Sequence, residues 1–200
     1  MNRKKAAKPI KDLEKVMDIQ DYLRYKNERD YVLFVLGIAT GYRAGDLVKL
    51  KVRDVKKALS YGYFEIMEGK KLNTRNIRKE NKKPREVIIV DKLARILKAY
   101  IKDKHDYDYM FPSRKGKGYI QVSHVSRILN EAGLNFNMYN ITAHSMRKTY
   151  AYTIYVQSNF DIVAVKELLG HSSIEITKRY LGLDRELYDN YSQALNSLIR

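Results

Sequence analysis

A short apolar repeat does most to decide how this chain can fold. Tyr31, Phe34, Val35 and Ile38 recur at i, i+3, i+4 and i+7 and stop at Gly41, which predicts a helix with one buried face. The period then changes. YFEIME (63–68) and REVIIV (85–90) read as two β-strands joined by the long polar stretch KKLNTRNIRKENKKP. After them the helical period returns: Asp91 is expected to cap a helix whose Leu93, Ile96, Leu97, Tyr100 and Ile101 share a face. Further helices are expected from Val122 to about Ala132 before Gly133, from Thr142 to about Val156, and from Asp161 to Leu169 before Gly170. A last short turn, Ser172 to Tyr180, should open on a capping box of Ser172 and Glu175 immediately after His171. The expected class is mainly α with a small antiparallel β-sheet, an α+β arrangement with the sheet inserted on one side.

Two hundred residues can bury one sizeable core. No Pro/Gly/Ser linker and no internal repeat divides the chain, so a single domain over 1–200 is expected, loose only at residues 1–10 and along 70–84. Its 39 Lys plus Arg against 23 Asp plus Glu leave a formal charge of +16, and the pI is near 9.8. That is the footprint of a protein that neutralises phosphates, although a membrane surface or an acidic partner would also suit it. No run of about 18 apolar residues occurs, and MNRKKAAKPIK has no apolar stretch behind its basic residues, so neither a spanning helix nor a secretory signal is expected. A cytoplasmic, nucleoid-associated protein with no membrane partner is the expectation. The absence of cysteine excludes disulfides and thiolate metal sites and fits a reducing compartment.

Three short segments carry chemistry. Arg43 and Asp46 sit in TGYRAGDLVKL, His144 and Arg147 in TAHSMRKTYA, and His171 and Tyr180 in LLGHSSIEITKRYL. Alone, His-x-x-Arg is usually a pair on a helix surface, and any one of 17 tyrosines is usually a packed or surface ring. The order and spacing of the boxes carry more. T-G-x-R-x-G-D-L is followed by V-x-D-V at Val52 to Val55, and Leu-Gly-His is followed by Tyr180 nine residues after His171. Over roughly residues 25–185 the chain resembles the tyrosine recombinases, the phage integrase family of DNA strand-exchange enzymes.

That resemblance implies the roles. Attack on a phosphodiester builds charge on its non-bridging oxygens, and planar, permanently charged guanidinium groups hold two oxygens at once, so Arg43 and Arg147 are the expected phosphate clamps. His144, one turn before Arg147, is expected to share its face and reach the same phosphate. Tyr180 is the implied nucleophile, leaving a 3′-phosphotyrosine and a free 5′-hydroxyl. The family's general acid is a hairpin lysine. Lys70, directly after YFEIMEG, fits that position best, while Lys71, Lys79, Lys82 and Lys83 crowd the same hairpin. Asp46 is expected to hold Arg43 or a histidine in place, and His171 to bind the phosphate or orient Tyr180. No cofactor is expected, because the phosphotyrosine conserves the energy of the phosphodiester and no P-loop is present. His105 and His124 lie in unrelated segments and no HExxH occurs, so no catalytic metal is expected either.

The implied partners are double-stranded DNA, three further copies in a homotetramer on paired sites, and accessory DNA-bending proteins, with a monomer off DNA. Longer members of the family carry a helical domain before the catalytic one. Here only about 25 residues precede the first box helix, and a complete short protein without that core-binding domain is expected. Leu187, Tyr191, Ala194, Leu195 and Leu198 form one apolar stripe, so residues 184–198 are expected to be a helix that either folds back or docks on a neighbouring subunit. Two other functional readings stay open at this stage: a DNA-binding regulator without strand exchange, and a type IB topoisomerase-like relaxing enzyme.

Overall fold

The computed structural model of the chain describes residues 6–66 and 84–183. These form two compact units, one ending at Tyr150 and one beginning at Ala151, so the division falls inside the helix Ala143–Gln157.

The first unit opens on a helix that periodicity did not announce. Asp12 accepts from the Glu14 N–H and starts α1 (Leu13–Lys26), which buries Val16, Ile19 and Leu23. Residues just before it are tied down: Lys8 N–H donates to the Asn140 carbonyl and Ile10 N–H to Thr149 Oγ1, with Ile10 only 3% exposed. The looseness expected over residues 1–10 therefore does not extend to these two. Next, α2 (Glu28–Thr40) packs on α1 and ends at Gly41 as expected. It is not half-buried. Every residue from Tyr31 to Gly37 is buried, because YVLFVLG is apolar all round and such a helix becomes the centre of a core.

A four-residue turn of helix, α3 (Ala44–Leu47), leads to α4 (Val52–Tyr61), where the V-x-D-V stretch proves to be the first turn of a helix. β1 (Tyr63–Ile66) and β2 (Arg85–Ile88) pair antiparallel with Tyr63 opposite Ile88 and Ile66 opposite Arg85. The second strand ends earlier than REVIIV suggests, because its partner strand begins only at Tyr63: Ile89 N–H still donates to the carbonyl of Gly62, which is already the left-handed cap of α4. Val90, not Asp91, is then the N-cap of α5 (Asp91–Ile101), and Asp91 becomes its first residue, where its charge still favours the helix N-terminus. α6 (Val122–Asn135) runs straight through Gly133 instead of stopping before it. A Cβ at Gly133 would lie 2.9 Å from Ile141 Cγ1, so the glycine is there for close packing and not for termination. α7 (Ala143–Gln157) begins one residue later than expected.

Phe34, Leu36, Leu47, Val55, Leu97, Phe111 and Met146 lie in one core cluster. Each such side chain stabilises by about 1.5–3 kcal/mol. Exposed ion pairs such as Lys56 with Asp106 contribute only about 0–1 kcal/mol each, so this unit is held by its apolar interior.

The second unit contains α8 (Ile162–Leu169) and α9 (Ile174–Leu181), which pack on each other. Asp161 accepts from the N–H groups of Val163 and Ala164 and starts α8 where the sequence indicates. The N-cap of α9 is Ser173, not Ser172: its Oγ accepts from Ile176 N–H at 3.3 Å. Two adjacent serines offer the same capping group, and it is Ser173 that has the extended backbone of an N-cap, φ −146° and ψ 160°. Glu175 sits in that first turn, its carboxyl held below the usual range by its own backbone N–H and the Ser173 hydroxyl. No helix among the described residues is long and apolar enough to cross a membrane.

Candidate active site

The site begins where α2 ends. Gly41 adopts φ 61° and ψ 17°, and its N–H closes the helix on the Gly37 carbonyl. A Cβ at Gly41 would overlap the Tyr150 ring, so both the turn and the close approach require glycine here. Tyr42 is fully buried, with its hydroxyl donating to the Arg85 carbonyl and lying 3.3 Å from the Phe64 carbonyl. Arg43 follows this pinned residue directly. It is the N-cap of α3 and half-buried, so its base is fixed by the turn behind it. Asp46, also half-buried, donates its N–H to the Arg43 carbonyl at 2.9 Å, so the two bracket the first turn of α3.

Arg147 reaches the same turn from α7. Its Nη1 donates to the Gly41 carbonyl at 2.8 Å, and the residue is 2% exposed. Burying a guanidinium is costly, and hydrogen bonds of this kind offset the cost. His144, one turn earlier, is exposed, and its N–H is capped by Thr142 Oγ1 at 3.3 Å. The pair expected to share a face thus differs sharply in depth, with Arg147 sunk against the turn and His144 open to solvent. The structure brings Arg43, Asp46 and Arg147 together around residues 41–46.

In the second unit, α8 ends in a Schellman arrangement: Gly170 N–H donates to the Glu167 carbonyl and His171 N–H to the Lys166 carbonyl. This fixes the backbone of His171. Its side chain is fixed by Thr177, which sequence reasoning missed. Thr177 is fully buried and donates its hydroxyl to the Ser173 carbonyl at 3.3 Å. Its oxygen is thereby left to accept from His171 Nδ1–H at 3.0 Å, and in the neutral ring Nε2 becomes the acceptor nitrogen. The His171 and Tyr180 rings meet edge-on, with centroids 4.9 Å apart. The signal for Thr177 was present in the sequence: it lies three residues before Tyr180, on the same side of α9.

Lys70 and its alternatives from Lys71 to Lys83 lie outside the described residues, as do 184–198. Among the described residues no group of three or more His, Asp or Glu could hold a metal ion.

The model of the "Phage integrase family" matches residues 10–186. A probable integrase/recombinase, YoeC of Bacillus subtilis, is 34% identical over 90% of this chain and 92% of its own length. A tyrosine recombinase of Pseudothermotoga lettingae is 32% identical over 98% of this chain but only 64% of its own length. Among solved structures, the XerA recombinase superposes with a TM-score of 0.66 at 22% identity, covering 97% of this chain and 66% of XerA. XerH bound to its difH substrate superposes with a TM-score of 0.61 at 19% identity, covering 96% and 55%. The chain therefore spans nearly the whole of the Bacillus relative and between half and two thirds of the others. With a family match over most of its length, it belongs to the phage integrase family, the tyrosine recombinases.

Proposed function

We propose that this chain is a site-specific DNA strand transferase that cleaves and rejoins duplex DNA through a 3′-phosphotyrosine at Tyr180. Tyr180 Oη attacks the scissile phosphorus, the bond from phosphorus to the 5′-oxygen breaks, and the departing oxygen takes a proton from Lys70. The phenol, whose ordinary pKa is about 10, gives up its own proton to solvent in the attack. Arg43 and Arg147 neutralise the non-bridging oxygens, and a guanidinium as buried as Arg147 is weakly screened by water. His144 adds a donor to the same phosphate, Asp46 steadies Arg43, and His171 orients Tyr180. The reverse step joins the phosphotyrosine to another 5′-hydroxyl, which yields integration, excision or inversion without a cofactor.

One observation carries this reading most: the edge-on contact of His171 with Tyr180, the imidazole itself locked by buried Thr177. A packing tyrosine needs no such locked polar neighbour. The +16 charge supports duplex DNA as the partner. XerH, a structural neighbour, is seen on its difH substrate. The chain acts as a monomer off DNA and a homotetramer on paired sites, with accessory bending proteins assisting, in the cytoplasm at the nucleoid. The test uses a nicked suicide duplex built from the DNA that flanks the chain's own coding region. A denaturant-stable, protease-sensitive adduct is expected; binding without an adduct would favour a regulator, and relaxation of any supercoiled plasmid would favour a topoisomerase.

A further inference from the structure

The last two carbonyls of the α2 turn each accept from a guanidinium delivered by a different element. Arg147 on α7 holds the Gly41 carbonyl, and Arg85, the first residue of β2, holds the Thr40 carbonyl through its Nη2. Helix C-terminal carbonyls carry partial negative charge and lack partners within the helix, so cations are favoured there. Arg85 is engaged in three further ways. Its guanidinium carbon lies 4.4 Å from the centre of the Tyr42 ring and 5.4 Å from that of Tyr150. Its own carbonyl accepts the Tyr42 hydroxyl. The residue is half-buried and paired across the sheet with Ile66, four positions before Lys70.

We infer that Arg85 is a positioning residue that locks the turn presenting Arg43 in register with the β-hairpin; this rests on the strand-transfer reading above. Removing it takes no apolar side chain out of the core, in which Phe64, Phe34 and Leu36 are buried. It frees the Thr40 carbonyl and the Tyr42 ring instead, and Arg43 is the residue immediately beyond. A guanidinium already stacked by two tyrosines and bonded to a backbone carbonyl serves this turn and not the DNA.

The experiment compares Arg85→Met, which keeps the bulk and loses the donors, with the unaltered chain on two suicide duplexes. One carries an ordinary scissile phosphate and the other a neutral methylphosphonate there, which lessens the need for an aligned Arg43. On the ordinary duplex the variant should cleave about a hundredfold more slowly, the loss expected of a misplaced catalytic group. DNA affinity and its salt dependence should be unchanged. On the methylphosphonate the deficit should shrink at least severalfold. Arg85→Lys, which keeps a cation near the rings, is read by the same ratio of deficits and decides the matter should Arg85→Met fail to fold. An equal deficit on both duplexes would overturn the proposal, as would full activity, or a salt slope reduced by about one phosphate contact, which would make Arg85 a DNA ligand. No adduct from the unaltered chain on either duplex would overturn the strand-transfer reading and this inference with it. Adducts with an equal deficit would sink only the inference.

Discussion

Arg147 and Gly41 stand 106 positions apart and are joined by one hydrogen bond, Nη1 to carbonyl oxygen at 2.8 Å. The bond adds to the phosphate-clamp role proposed for Arg147 a second one, support for the turn that carries Arg43, so the two arginines should not act independently. Arg43→Lys or Arg147→Lys keeps the charge but loses the planar fork, and each should slow cleavage by about 10²–10³-fold. The double variant should fall well short of the product of the two losses. Single-turnover cleavage checks this, while the salt dependence of binding should change little.

Thr177 is expected to act through His171. Thr177→Val preserves shape and deletes the hydroxyl, leaving Nδ1–H without its acceptor. A cost of about 1–3 kcal/mol corresponds to roughly a ten- to hundredfold slower cleavage, and Thr177→Ser should restore most of it. Equal rates for the valine and serine variants would remove Thr177 from the account.

Lys70 as general acid has a chemical signature. Lys70→Ala should be rescued by a duplex whose 5′-bridging oxygen is sulfur, because a thiolate leaves without a proton. Rescue of Lys71→Ala in its place would move the assignment by one residue, and rescue of neither would move the acid off this part of the hairpin.

A pH effect is expected at His124. Burial pushes its imidazole below the ordinary range, helped by the Arg127, Arg29 and Arg114 charges and opposed by Asp30. Arg127 Nη2 lies 2.7 Å from Nδ1, and since arginine only donates, Nδ1 must accept and the ring is neutral. With the folded pKa below the unfolded value, the unfolded chain binds more protons. The contribution is complete above about pH 6.5 and is lost as pH falls through the folded value. Denaturant midpoints should therefore decline more steeply between pH 7.5 and 5.5 in the unaltered chain than in His124→Gln.

Much of this architecture was legible because it obeys one period at a time. The helix from Tyr31, the two strands and the boxes around Arg43, His144 and His171 all rest on local spacing. α1 and α4 escaped because Val16, Ile19 and Leu23, like Val52, Val55 and Ala58, are sparse apolar positions among charged neighbours. Gly133 reads as a stop signal, and only the distant Ile141 packed against it explains why the helix continues. Thr177 and Arg85 escaped notice as functional residues for related reasons. One works through a buried hydroxyl whose partner is set by the Ser173 cap, and the other through rings and a carbonyl brought in from over forty residues away. Depth was illegible too: nothing local tells that Arg147 is buried while His144 is exposed.

Strand transfer as proposed rests on Tyr180 being the nucleophile. The most direct measurement is to trap the covalent adduct on suicide DNA, digest the DNA and protein, and identify the modified peptide by mass spectrometry, with Tyr180→Phe run in parallel. Expected are a nucleotide linked through its 3′-phosphate to Tyr180, no adduct from the phenylalanine variant, and unchanged binding of that variant to intact duplex. An adduct on Tyr188, Tyr191 or any other residue, or one that persists in Tyr180→Phe, would contradict that role for Tyr180.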